Sequence, residues 1–147
     1  MEFILLANEE GVKMLMVGGA AVNYYGYQRH SADVDFWIDT SSQNLKKLLV
    51  VLQKLGYEID ALPESVKNKQ QNISLKFSPE ILNIELITNF SVNKSFEEAY
   101  KDADIENVEG QKFWHIISID DLITSKLKSG RNKDYLDVME LKKLHGK

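Results

Sequence analysis

The sequence contains no cysteine. That excludes disulfides, thiolate zinc sites, iron–sulfur ligation and a cysteine nucleophile, and it fits a reducing compartment. Proline is nearly as scarce: Pro63 and Pro79 are the only two, and both punctuate loops between periodic segments. No Pro/Gly/Ser-rich linker, internal repeat or low-complexity run divides the 147 residues. A chain of this length falls in the usual range of one domain and buries roughly two-thirds of its unfolded surface, enough for a core without covalent staples. Long hydrophobic runs are missing too. The longest apolar stretches, such as KMLMVGGAAV (13–22), are broken by glycine and too short to span a bilayer. The N-terminus MEFILLANEEG lacks a basic segment, so no secretory signal is expected. Positive charge is not in excess: 18 Lys and Arg stand against 22 Asp and Glu, a net charge of −4. Such a chain has no global field for gripping a duplex, which leaves only local basic clusters. The expectation is a soluble, cytoplasmic protein with one domain over 1–147 and no membrane partner.

What is present is a chain of short periodic segments. Residues 2–9 read as a short helix stopped at Gly11. VKMLMV (12–17) is a strand candidate ending at Gly18-Gly19, and AAVNYYGY then reads as a helix broken at Gly26. ADVDFWID (32–39) alternates with period two: Val34, Phe36 and Ile38 face one way, Asp33, Asp35, Trp37 and Asp39 the other. Leu45, Leu48, Leu49, Leu52 and Leu55 recur at three and four, with Ser41 or Ser42 as an N-cap and Gly56 as a stop; this is an amphipathic helix. NISLKFS (72–78) and LNIELIT (82–88) read as a hairpin, SFEEAYKDA (95–103) as a helix and KFWHIIS (112–118) as a strand. Two helices close the chain, one capped by Ser118 with Asp121 three residues on, the other from about Asn132 to Leu144. Strands interleaved with helices imply an α/β (α+β) class with a central mixed sheet flanked by helices.

Three features could carry chemistry. Gly18-Gly19 stands at a strand-to-helix switch, where backbone N–H groups can approach an anion; a tight turn that no side chain fits is the simpler account. Asp33 and Asp35 lie on the same strand face. Adjacent like charges raise each other's pKa unless a cation joins them, and hard divalent ions take such oxygen ligands; a solvent-facing strand whose acids discourage edge pairing explains them equally. Glu85 is a single acid between Ile84 and Leu86. If its strand neighbours that of Asp33 and Asp35, three carboxylates converge, enough for a two-metal phosphoryl-transfer site.

The run VGGAAVNYYGYQRHSADVDFWI, from Val17 to Ile38, resembles the signature of the polymerase-β-like nucleotidyltransferases: a hydrophobic residue, Gly-Gly, a dozen or so residues, then Asp-hydrophobic-Asp. The IEL around Glu85 is similar to that superfamily's third carboxylate between hydrophobics, and Gly26, Arg29, Ser31 and Asp33 match its G-x-x-R-x-[ST]-x-D spacing. The tail KLKSGRNKDYLDVMEL is similar to the closing segment of small bacterial members of abortive-infection and toxin–antitoxin type. The resemblance covers about residues 3–55 and 72–144. It implies that Gly18 and Gly19 line a triphosphate, that Arg29 and Ser31 contribute to nucleotide binding, and that Asp33, Asp35 and Glu85 are the catalytic carboxylates holding two Mg2+ ions. The implied activity moves an NMP from an NTP to a hydroxyl acceptor (an RNA end, a protein hydroxyl or a small molecule) with release of pyrophosphate. Little chain is left over to bind an acceptor, so a second copy or a partner protein would supply that surface. The alternative is a catalytically inactive partner-binding or antitoxin-type subunit.

The tail also has a reading of its own. Lys126 lies seven residues after Ile119 and three after Ile123, on the apolar stripe. It either snorkels to the edge or reaches into a cleft toward an anion, and a triphosphate contact is favoured. Lys128, Arg131 and Lys133 follow. A cationic helix end answering the dipole explains Lys128 and Arg131, while Arg131 and Lys133 are further nucleotide-binding candidates. Asp134 and Asp137 are expected to pair with Arg131 and Lys133 at helical spacing, as structural residues. His30, His115 and His145 have no ligand-spaced partners, and Tyr24, Tyr25 and Tyr27 read as packing.

Overall fold

A computed structural model describes residues 2–27, 33–76, 83–108 and 111–147. In chain order the elements are Glu2–Glu10 (α1), Met14–Val17 (β1), Gly18–Tyr24 (α2), Asp33–Ile38 (β2), Ser42–Lys54 (α3), Glu64–Lys67 (α4), Ile73–Lys76 (β3), Asn83–Ile87 (β4), Phe96–Lys101 (α5), Asp104–Val108 (β5), Gln111–Ile116 (β6), Ile119–Ser129 (α6) and Asn132–His145 (α7). The strands form one mixed sheet in the order β3-β4-β2-β1-β6-β5, the architecture the alternating pattern implies. β1 pairs antiparallel with β2 and parallel with β6, and β2 pairs parallel with β4. The expected hairpin is there, with β3 antiparallel to β4.

Helix starts follow side-chain chemistry. Ser41 Oγ accepts from the Asn44 amide at 3.3 Å and Ser118 Oγ from the Asp121 amide at 3.2 Å, each satisfying an amide with no partner inside the helix. α5 opens on a full capping box between Ser95 and Glu98. The leucine stripe of α3 is core as read: Leu45, Leu48 and Leu52 are buried, and α3 packs on α1. α6 and α7 pack as a helical pair joined at Gly130, which takes the left-handed conformation (φ 69°).

Two elements were not anticipated. α4 is a single turn. β5 (DIENV) is an edge strand whose Asp104 to Asn107 are all exposed; with neither face buried it shows no apolar alternation, and its acids suit an unpaired edge. The face assignment of β2 holds, and one residue of the acidic face is buried. Trp37 does point with Asp33 and Asp35, yet it is 6% exposed, packed on Phe90 and Phe96 at ring-centroid distances of 5.3 and 5.2 Å. Alternation shows which face a residue takes; here the chain following β4 returns over the far half of that face and covers it. Among the described residues no helix is long and apolar enough to cross a membrane.

Candidate active site

β1 runs out at Val17 and the chain turns at Gly18, whose φ of 63° is left-handed. A Cβ built on Gly18 would lie 2.8 Å from Asp35 Oδ2. Only glycine satisfies both conditions, the backbone conformation and the close approach of a carboxylate. Gly19 is half-buried in the first turn of α2. Arg29 and Ser31, with His30, lie outside the described residues.

Asp35 sits between Val17 of β1 and Glu85 of β4 in the sheet register, while Asp33 is opposite Asn83. Partners in register share a face, so the two Asp side chains and Glu85 are on one side of the sheet. Asp33 is exposed; Asp35 and Glu85 are half-buried. Burial pushes the Asp35 carboxyl above its ordinary range, the charges of Asp33 and Glu85 add to that, and the Lys126 ammonium opposes them. Glu85 Oε2 accepts from Ser74 Oγ at 2.5 Å. Among the described residues, no three His, Cys, Asp or Glu side chains are gathered closely enough to hold a metal ion. The carboxylates share a face and a field without forming a finished ligand shell.

A cavity of about 280 Å3 opens over this face. Gly18 and Asp35 form one wall, Lys126, Ser129 and Arg131 form another, and Asn89 lies in the segment that follows β4. A larger cavity of about 590 Å3 lies at the start of β1, against Lys13, Tyr100 and His115; it contains none of the expected site residues.

The cationic wall is built round buried acids. Lys126 is 6% exposed, with Nζ 3.3 Å from Asp134 Oδ1 and 3.1 Å from Asp137 Oδ2. Arg131 donates Nε to Asp134 Oδ2 at 2.7 Å and Nη2 to Oδ1 at 3.2 Å, the forked arrangement a carboxylate accepts best. The expected pair Asp134–Arg131 is therefore present, but Asp137 needs reassignment. It is 2% exposed and meets Lys126, whereas the Lys133 expected beside it is exposed on α7, outside the cavity wall. The reason is burial: Asp137 is on the inward side of α7, where the cation within reach comes from α6.

Burial alone would raise the Asp134 carboxyl; hydrogen bonds from Arg131 and Ser129 and the Lys126 charge outweigh it and bring it down to about 2. Ser125 and Ser129, not among the residues expected from sequence, line the cavity beside Lys126. Their spacing of four, next to a lysine on the apolar stripe, was the available signal. Tyr25 is packing, as expected: its hydroxyl donates to the Ile117 carbonyl at 2.7 Å.

Residues 3–147 match the family described as "nucleotidyl transferase of unknown function (DUF2204)". No curated protein sequence matches the chain. Among solved structures, the fold is similar to the crystal structure of the lincosamide antibiotic adenylyltransferase LnuA with lincomycin bound, with a TM-score of 0.57 and 20% identity over 95% of this chain and 91% of that one.

Proposed function

Because the chain belongs to this nucleotidyl transferase family, we propose that it moves a nucleoside monophosphate from an NTP to a hydroxyl acceptor, with pyrophosphate as the leaving group. One observation carries this reading: a single cavity has Asp35 and Gly18 on one wall and the cations Lys126 and Arg131 on the other. The acceptor oxygen attacks the α-phosphorus in line, the bond from that phosphorus to the bridging oxygen breaks, and the leaving pyrophosphate carries its charge toward Lys126 and Arg131. Lys126 offers a compact charge, and Arg131, whose Nε and Nη2 are held by Asp134, keeps its remaining N–H donors for phosphate oxygens. Glu85, in register with Asp35, is the carboxylate assigned in this reading to help take the acceptor's proton.

The donor set suits a hard divalent ion, since all three side chains offer carboxylate oxygens. The burial and like charge that raise the Asp35 carboxyl are what a bound cation would relieve. Asp33, Asp35 and Glu85 would therefore hold Mg2+, two ions by analogy with the superfamily the sequence resembles. Bound there, Mg2+ supplies neutralising charge to the attacking and leaving oxygens.

The test is transfer of label from each α-labelled ribonucleoside triphosphate to RNA ends, protein hydroxyls and small-molecule hydroxyls, with pyrophosphate release measured in parallel. One NTP should donate label, EDTA should stop it, and Asp35→Asn should lower the rate by about 100-fold or more, the several kcal/mol that a held metal ion supplies to the transition state. The inactive-subunit alternative draws on the Ser74 bond that now engages Glu85 and on the unassembled acid group. It predicts no transfer with any acceptor and no stabilisation by Mg2+ with nucleotide.

A further inference from the structure

We propose that Asp134 is the positioning residue of the cationic wall: one buried carboxylate that holds Lys126, Ser129 and Arg131 in place to receive the phosphate chain. The proposal rests on the triphosphate reading of that wall. Asp134 is 0% exposed, yet its two oxygens serve three side chains, all of which line the cavity. Oδ1 meets Lys126 Nζ and Arg131 Nη2; Oδ2 accepts from Arg131 Nε and from Ser129 Oγ. These contacts close the corner between α6 and α7, where the Gly130 amide also donates to the Lys126 carbonyl at 3.3 Å. Asp134 itself is not among the residues lining the cavity, so it acts through its partners.

The arrangement has a physical logic. The Arg131 side chain is 59% exposed, and a long solvent-facing arginine loses rotamer freedom when it binds an anion. Anchoring its guanidinium on a carboxylate fixed in the first turn of α7 meets part of that cost before the ligand arrives. The same carboxylate fixes the ammonium of a buried lysine, whose second counterion is Asp137. The cations are thus preorganised, and one acid on α7 couples them.

The experiment is calorimetric titration of the full chain with each ribonucleoside triphosphate and with inorganic tripolyphosphate, all with Mg2+; tripolyphosphate reads the phosphate contacts without a base. Asp134→Asn, Arg131→Ala and the double variant are compared with wild type, with thermal melts confirming that each is folded. Asp134→Asn keeps the side-chain shape and leaves Lys126 its Asp137 partner. Each single variant should weaken both probes by about tenfold or more. The double variant should be no weaker than the weaker single one, because both changes remove one coupled unit; a purely structural acid would not give that result. A folded Asp134→Asn with wild-type affinity, or losses that simply multiply, overturns the proposal. Should Asp134→Asn fail to fold, Arg131→Ala alone decides, and unchanged affinity there also overturns it. A wild type that binds neither probe defeats the triphosphate reading itself, an outcome distinct from a wild type that binds and an Asp134→Asn variant that matches it.

Discussion

Asp35 and Asp134 are acids of the same cavity region with opposite environments. The folded-state carboxyl of Asp35 lies above its ordinary 3.8 through burial and the neighbouring Asp33 and Glu85. Over the window between those two values the folded chain binds more protons than the unfolded one, so this group's contribution destabilises as pH rises through its folded pKa and vanishes below 3.8. Asp35→Asn should leave the metal-free melting temperature at neutral pH unchanged or raised, with any gain disappearing at low pH. A clear drop at neutral pH would show that Asp35 is a stabilising ion-pair partner instead. Asp134 runs the other way. Its carboxyl sits at about 2, so the stabilisation is complete above 3.8 and is lost as pH falls through about 2. Asp134→Asn should cost about 2–4 kcal/mol in urea melts at pH 7, and the gap from wild type should narrow steadily on acidification. A gap independent of pH would mean that packing, not charge, sets the cost.

At the scale of elements, the junction of β1 and α2 is the part least tolerant of change. Gly18→Ala meets a left-handed backbone and the Asp35 carboxylate together. The conformational term alone is about 1–2 kcal/mol, and Asp35 must swing aside to admit the methyl group. The variant should melt lower than wild type and lose nucleotide stabilisation in the presence of Mg2+. Full retention of that stabilisation would show that Asp35 need not stay where it is. Elements were legible where one face is buried and the other wet: β2, α3, the β3–β4 hairpin and the serine caps of α3 and α6 all carry local signals. β5 carried none, since pairing to β6 along a solvated edge makes it a strand. The burial of Trp37 was likewise invisible locally, because Phe90 and Phe96 cover it from more than fifty residues downstream.

For the whole molecule, a ligand that binds only the folded chain stabilises it by mass action. On the proposed function, an NTP with Mg2+ at about 100 times its Kd should add about 2.7 kcal/mol, a rise on the order of 5–10 °C for a chain of this size. Asp35→Asn should show none of that rise; a full shift in the variant would remove Asp35 from the site. The site's parts divide in the same way as the fold. Gly18, Asp33, Asp35 and Glu85 could be singled out from sequence, because glycine at a strand end and acids on a period-two face are local patterns. That Glu85 stands beside Asp35 was decided by the sheet order, which sets β4 against β2 although the two acids are about fifty residues apart. Lys126 was conspicuous as a charge on an apolar stripe, but its partners depended on how α6 and α7 cross. Helical spacing suggested Lys133 for Asp137, and the packed pair of helices turned that carboxylate inward to Lys126 instead. Periodicity is a property of neighbouring residues, so sequence alone settles faces and caps. Which faces meet, and which buried charge answers which, depends on long-range packing, where an acid removed from water must take whatever cation the tertiary structure brings within reach.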